Sequence, residues 1–138
     1  MCNLGTTDIT STFFKGNSSN SHGGAIGNYG TMNVTGSKFM GNTASGNGGG
    51  IDMGGSVTVT NSTFTNNSAG LRGGGINSYG GTLNMVGSSI LSNTAAVWGG
   101  GLASDASTTT VGGSTFAKNT ANIGGGLEIS HSMCCHIW

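Results

Sequence analysis

Apolar and polar residues alternate in short runs along this chain, as in Met32-Asn33-Val34, Val57-Thr58-Val59 and Leu83-Asn84-Met85. A period of two returns side chains to one face of a strand. Three short strands are predicted in each unit: Ile26-x-Asn28, Met32-x-Val34, Ser37-x-Phe39 and their equivalents. Helical spacing is not sustained over ten or more residues anywhere, and runs of glycine would break a helix.

The runs recur at a fixed distance. Phe-x-x-Asn stands at Phe14–Asn17, Phe39–Asn42, Phe64–Asn67 and Phe116–Asn119, with Ile90–Asn93 as a variant, at intervals of 25, 25, 26 and 26. A Gly-Gly-(Ala/Gly)-(Ile/Leu) motif ends at Ile26, Ile51, Ile76, Leu102 and Leu127, at intervals of 25, 25, 26 and 25. The second apolar residue of each alternating run precedes the first motif by five residues throughout, from Ile9 before Phe14 to Val111 before Phe116. A unit of this size cannot bury its own apolar side, whereas stacked copies share a core. The expected fold class is all-β: a right-handed parallel β-helix (β-solenoid) of about five coils of 25–26 residues.

Stacking assigns each column a place. Phe14, Phe39, Phe64, Ile90 and Phe116 point inward with rings in line. Two aliphatic columns join them: Ile26, Ile51, Ile76, Leu102, Leu127, and Ile9, Val34, Val59, Met85, Val111. Asn17, Asn42, Asn67, Asn93 and Asn119 form a buried ladder in which each amide bonds the next. Ala44, Ala69, Ala95 and Ala121 line the turn that follows. Gly5-Thr6-Thr7-Asp8-Ile9 matches Gly30-Thr31-Met32-Asn33-Val34, and Met133 and Cys135 follow Leu127 as Met32 and Val34 follow Ile26. The chain thus starts and stops within a coil. It reads as a single unit over residues 1–138, cut from a longer solenoid, with uncapped coils open to end-to-end self-association.

Composition removes several function classes. Only 6% of residues are charged, the formal net charge is zero, and there are 29 Gly and no Pro. Nucleic acid is excluded as a partner by the missing basic excess. No apolar stretch is long enough to insert in a membrane, and no export signal is present in this chain.

Gly23-Gly24-Ala25-Ile26 and Phe14-Lys15-Gly16-Asn17, with Gly for Ala in the later copies, resemble the polymorphic outer membrane protein repeats of bacterial surface autotransporters. The resemblance runs from about Ile9 to Leu127. It implies a β-helical passenger segment at the outer membrane or outside the cell, where it adheres to a host-cell surface protein or glycan.

Enzymatic chemistry finds little material. Asp8, Asp52, Asp105 and Glu128 are the four carboxylates, and Asp52 and Glu128 stand three coils, about 14 Å, apart. That exceeds the ~5–9.5 Å of a glycosidase pair. Asp105 and Glu128, roughly 8 Å apart, read as solubilising surface charges. Lys15, Lys38, Arg72 and Lys118 have no acid cluster beside them. The rival class is a carbohydrate-active β-helix enzyme, lyase or hydrolase, whose catalytic coils lie elsewhere. Cys2 lies at the far end of the stack from Cys134 and Cys135, beyond disulfide reach. Adjacent cysteines face opposite sides of a strand, so Cys135 is expected in the aliphatic column and Cys134 outside. No metal or cofactor is expected.

Binding finds more. The residue before each glycine run changes with every coil: His22, Asn47, Arg72, Trp98, Ile123, with Leu71 and Val97 beside them. Turns on one edge of a solenoid often carry recognition. Trp98 near Arg72, with His22, Leu71 and Val97, is the candidate contact surface. The outward rows Asp8, Asn33, Thr58, Asn84, Thr110 and Thr10, Thr35, Thr60, Val86, Gly112 are too irregular for an ice-binding array.

Overall fold

The computed structural model describes residues 1–131 and 134–138. It is all-β: parallel strands stack as a solenoid of about five turns, with no helix among the described residues. Four sheets run along the axis. The first holds Cys2–Asn3, Ile26–Asn28, Ile51–Met53, Ile76–Tyr79, Leu102–Asp105 and Leu127–Ser130. The second holds Thr6–Thr10, Thr31–Thr35, Ser56–Thr60, Thr82–Val86, Thr108–Gly112 and Cys134–Ile137. The third runs from Phe13–Lys15 through Lys38–Met40, Thr63–Thr65 and Ser89–Leu91 to Thr115–Ala117.

The fourth sheet was not expected. Its strands Ser18–Ser19, Thr43–Ala44, Ser68–Ala69 and Thr94–Ala95 occupy what reads in the sequence as a turn. Two residues are too few to show a period. Ala44, Ala69 and Ala95 are nonetheless buried, as inward residues of a strand should be.

Register follows the repeat: Ile9 pairs with Val34, Val34 with Val59, Val59 with Met85 and Met85 with Val111. The core is the set of inward columns, with Ile26, Val34, Phe39, Ile51, Val59, Phe64, Ile76, Met85, Ile90 and Leu102 all fully buried. The Phe14 and Phe39 rings stack with centroids 4.7 Å apart, and Phe39 and Phe64 with centroids 4.5 Å apart. Ile90 ends that stack.

The last coil departs from the expected register. Cys135 pairs with Thr109 and Ile137 with Val111, so Cys135 continues the Met32 column rather than the Val34 column. Cys134 follows Leu127 by seven residues where Thr31 follows Ile26 by five, which shifts the strand by two positions. Met133 and the side-chain directions expected of Cys134 and Cys135 lie outside the described residues.

The glycine triplets make one corner of each coil. The first glycine has positive φ in every copy, 64° at Gly23 and 62° at Gly73, where other residues are strained. The second allows the coils to touch. A methyl group on Gly74 would overlap Gly100 O and lie 2.5 Å from Thr94 O. These are backbone atoms, which cannot turn aside. Gly74→Ala is therefore expected to destabilise the chain by about 3 kcal/mol. Gly27 carries no such constraint, its nearest neighbour being a Tyr29 ring atom at 3.8 Å, so Gly27→Ala should leave stability within about 1 kcal/mol. Urea melts of the two variants check the contrast.

Candidate functional site

Inside the coils, polar groups are consumed by the fold. Asn42 Nδ2 donates to Asn67 Oδ1 at 2.9 Å, and Asn67 Nδ2 donates to Asn93 Oδ1 at 2.9 Å. Each of these acceptors also takes a backbone N–H, from Asn42 and Asn67 respectively, and Asn67 Nδ2 reaches Phe39 O at 3.0 Å. The ladder continues to Asn17 at one end and Asn119 at the other. Asn17 itself is exposed, although a buried place was expected for it.

A second ladder escaped the sequence reading. Ser37 N donates to Ser62 Oγ, Ser62 N to Ser88 Oγ and Ser88 N to Ser114 Oγ, each at 3.1 Å. Its signal is a serine two residues before Phe39, Phe64, Ile90 and Phe116, lost among the chain's many other serines.

The outer surface differs from coil to coil. Backbone pairing lines up Arg72, Trp98 and Ile123, and Gly23 N and Gly48 N donate to Asn47 O and Arg72 O. His22, Asn47, Arg72, Trp98 and Ile123 therefore form one column along an edge. The Arg72 guanidinium lies 4.3 Å from the Trp98 ring centroid and donates through Nη1 to Asp105 Oδ2 at 2.8 Å. Trp98 and Val97 are half-buried, while Leu71 is exposed. His22 is exposed and accepts Asn47 N–H on Nδ1 at 3.0 Å.

Arg72 has a single acid beside it, Asp105, rather than an acid cluster, because its side chain reaches into the next coil. One sequence expectation changes here: Asp105 and Glu128 are not plain surface charges. Asp105 also meets His131 Nδ1 at 3.3 Å, and Glu128 Oε2 is buried without a hydrogen-bond partner.

Next to this edge column runs a trough. Its floor holds Asp52 and Asn77, neighbours in one outward row of the first sheet. Its far wall carries Tyr29 and Tyr79, 54% and 63% exposed. Two adjoining cavities of about 210 and 360 Å³ occupy it and share Asn47, Asn77 and Tyr79. Asn77 Nδ2 donates to Asp52 Oδ1 at 2.8 Å, whereas Asn47 Oδ1 is buried with no partner. The sequence pointed to the edge column but missed the trough, because its two tyrosines occur in alternate coils.

Burial raises the Asp52 pKa, opposed by the hydrogen bond from Asn77 and by nearby His22. The hydrogen bond from Arg72 lowers that of Asp105, against a smaller effect of burial. A carboxyl whose folded pKa is lowered stabilises the fold above its unfolded value, and that contribution is lost as pH falls through the folded one. Arg72→Ala is accordingly expected to cost about 1–2 kcal/mol at pH 7, through the ion pair and the Trp98 contact together. The deficit should shrink on acidification as Asp105 protonates. Paired urea melts of parent and variant at pH 7 and pH 3 check this.

Residues 11–29 and 61–79 match the family model of the Chlamydia polymorphic membrane protein (Chlamydia_PMP) repeat. These two stretches are similar to polymorphic membrane protein repeats. The first match contains Phe14–Asn17 and Gly23–Ile26, and the second Phe64–Asn67 and Gly73–Ile76. Each matched stretch ends on a trough tyrosine, Tyr29 or Tyr79. No curated protein matches the chain, and no solved structure does. The matched stretches thus carry the parts that close the coil: the Asn of the ladder, the Phe of the stack and the glycine corner.

Proposed function

We propose that this chain is a non-enzymatic structural and adhesive segment of a cell-surface or secreted β-helix protein. One observation carries the reading: residues repeat inside the coil and differ outside it. Asn stacks on Asn and Phe on Phe within, which fixes a stiff rod. Along the edge, His22, Asn47, Arg72, Trp98 and Ile123 give each coil a different side chain. A scaffold that varies along one exposed edge is suited to meeting a partner. The match to a membrane-protein repeat supports a location at the cell surface.

The rival enzyme reading rests on Asp52, a buried carboxylate in a cavity with a raised pKa. The other acid in the trough, Asp105, is two coils along and two residues over, roughly 12 Å away by strand geometry. It is also held by Arg72. That separation exceeds the ~5–9.5 Å of a glycosidase pair.

Flow cytometry of labelled protein on cultured epithelial cells tests the proposal. Saturable binding is expected, and Leu71→Asp, which alters an exposed edge residue, should reduce it several-fold. Absence of saturable binding would count against adhesion.

A further inference from the structure

We propose that the trough beside the edge column is a binding site for a neutral oligosaccharide lying along the solenoid axis. The proposal deepens the adhesive reading by naming the chemistry of its ligand.

The shape comes first. The two cavities adjoin along the axis, so the site is elongated. Tyr29 and Tyr79 stand two coils apart on one wall, about 10 Å at the spacing of neighbouring strands. Gly54 lies between them, and a methyl group there would come within 3.4 Å of the Tyr29 ring. The glycine leaves a step between the two aromatic rims. A linear chain of rings can follow such a wall, while a compact ligand would fill only one cavity.

The lining chemistry fits sugars. A sugar ring offers C–H faces to aromatic side chains and hydroxyl groups to amides and carboxylates. Both tyrosines are more than half exposed, so their rings are available as platforms. Asp52 and Asn77 already form a pair on the floor, an arrangement that can accept from one hydroxyl and donate to its neighbour. Asn47 lines both cavities and its Oδ1 has no donor. An unpaired buried acceptor is costly. Small rotation of that amide toward the trough would give it a hydroxyl partner.

Charge decides against acidic sugars. The guanidinium of Arg72 lines the larger cavity, but it is committed to Asp105 at 2.8 Å and to the face of Trp98. A sialylated or uronic ligand would therefore meet the Asp52 carboxylate without a free guanidinium to offset it. A neutral chain meets no such repulsion.

The test uses the full 138-residue chain on a printed array of neutral and acidic oligosaccharides, followed by calorimetric titration of the best neutral member. Saturable binding to neutral oligosaccharides is expected. Tyr79→Ala and Tyr29→Ala should each weaken it at least ten-fold while the thermal midpoint stays that of the parent. Binding to acidic members alone, no binding at millimolar sugar, or equal binding by the tyrosine variants would overturn the proposal. Cells oxidised with periodate, which destroys vicinal diols, separate the two readings. Undiminished cell binding after oxidation, with a blank array, removes the sugar and leaves adhesion standing. Array binding without cell binding keeps the trough and removes adhesion.

Discussion

Asn67→Ala is expected to cost about 3–6 kcal/mol and to leave the chain close to unfolding at room temperature. Asn67 sits mid-ladder and is almost fully buried. Its Oδ1 accepts both Asn42 N–H and Asn42 Nδ2, and its Nδ2 supplies Phe39 O and Asn93 Oδ1. Alanine removes all of these bonds at once and strands Asn42 N–H and one of the two Asn42 amide hydrogens, the other still reaching Phe14 O. Each buried group stranded in this way costs about 1–3 kcal/mol. Domains of this kind have only about 5–15 kcal/mol in total. Because each coil touches only its neighbours, the loss falls on the junctions either side of the third coil. Asn67→Asp makes the sharper control, since it keeps the acceptor and loses the donor. Its ionised form would face Asn93 Oδ1 and Phe39 O in a buried site, so its folded pKa should be raised. That variant should then gain stability as pH falls through its folded value. Chemical denaturation at two pH values reads both effects.

Phe39→Ala is expected to cost about 3–5 kcal/mol. Phe39 is fully buried and stacked on both sides, on Phe14 and on Phe64. Truncation opens a cavity that the coil cannot close, because the strands on either side are held in register by backbone bonds. Phe14→Ala should cost less, since Phe14 is only partly buried and stacks on one neighbour. A difference in melting midpoint between the two variants reads the asymmetry.

The inside of the solenoid was legible in the sequence because it repeats. A strand shows its side chains with period two and the coil returns after 25 or 26 residues, so equal letters at equal places must lie over one another. Phe39 over Phe64 and Asn42 over Asn67 follow from counting alone. The fourth sheet did not, since Thr43–Ala44 is too short to carry a pattern. The serine ladder was present but hidden by composition. In the last coil the count failed because the spacing from Leu127 to the next strand grew by two residues, which moved Cys135 into another column.

The outside was legible only as positions. Counting placed His22, Arg72 and Trp98 on one edge, but not the reach of a side chain. Arg72 crosses to Asp105, 33 residues away, which no spacing rule within a 25-residue repeat displays. The trough depends on the same kind of information. Tyr29, Asp52, Asn77 and Tyr79 come from three coils, and only the paired strands bring them to one surface.

Double electron–electron resonance between spin labels at Asp8 and Thr110, with Cys2, Cys134 and Cys135 changed to Ser, tests the stacked coils most directly. The two positions belong to one outward row, four coil steps apart through Asn33, Thr58 and Asn84. Stacked coils predict a narrow distance distribution near 20 Å, four steps of about 4.8 Å each. An unstacked chain of the same length would give a broad distribution centred at roughly 50–60 Å, and that result would contradict the solenoid.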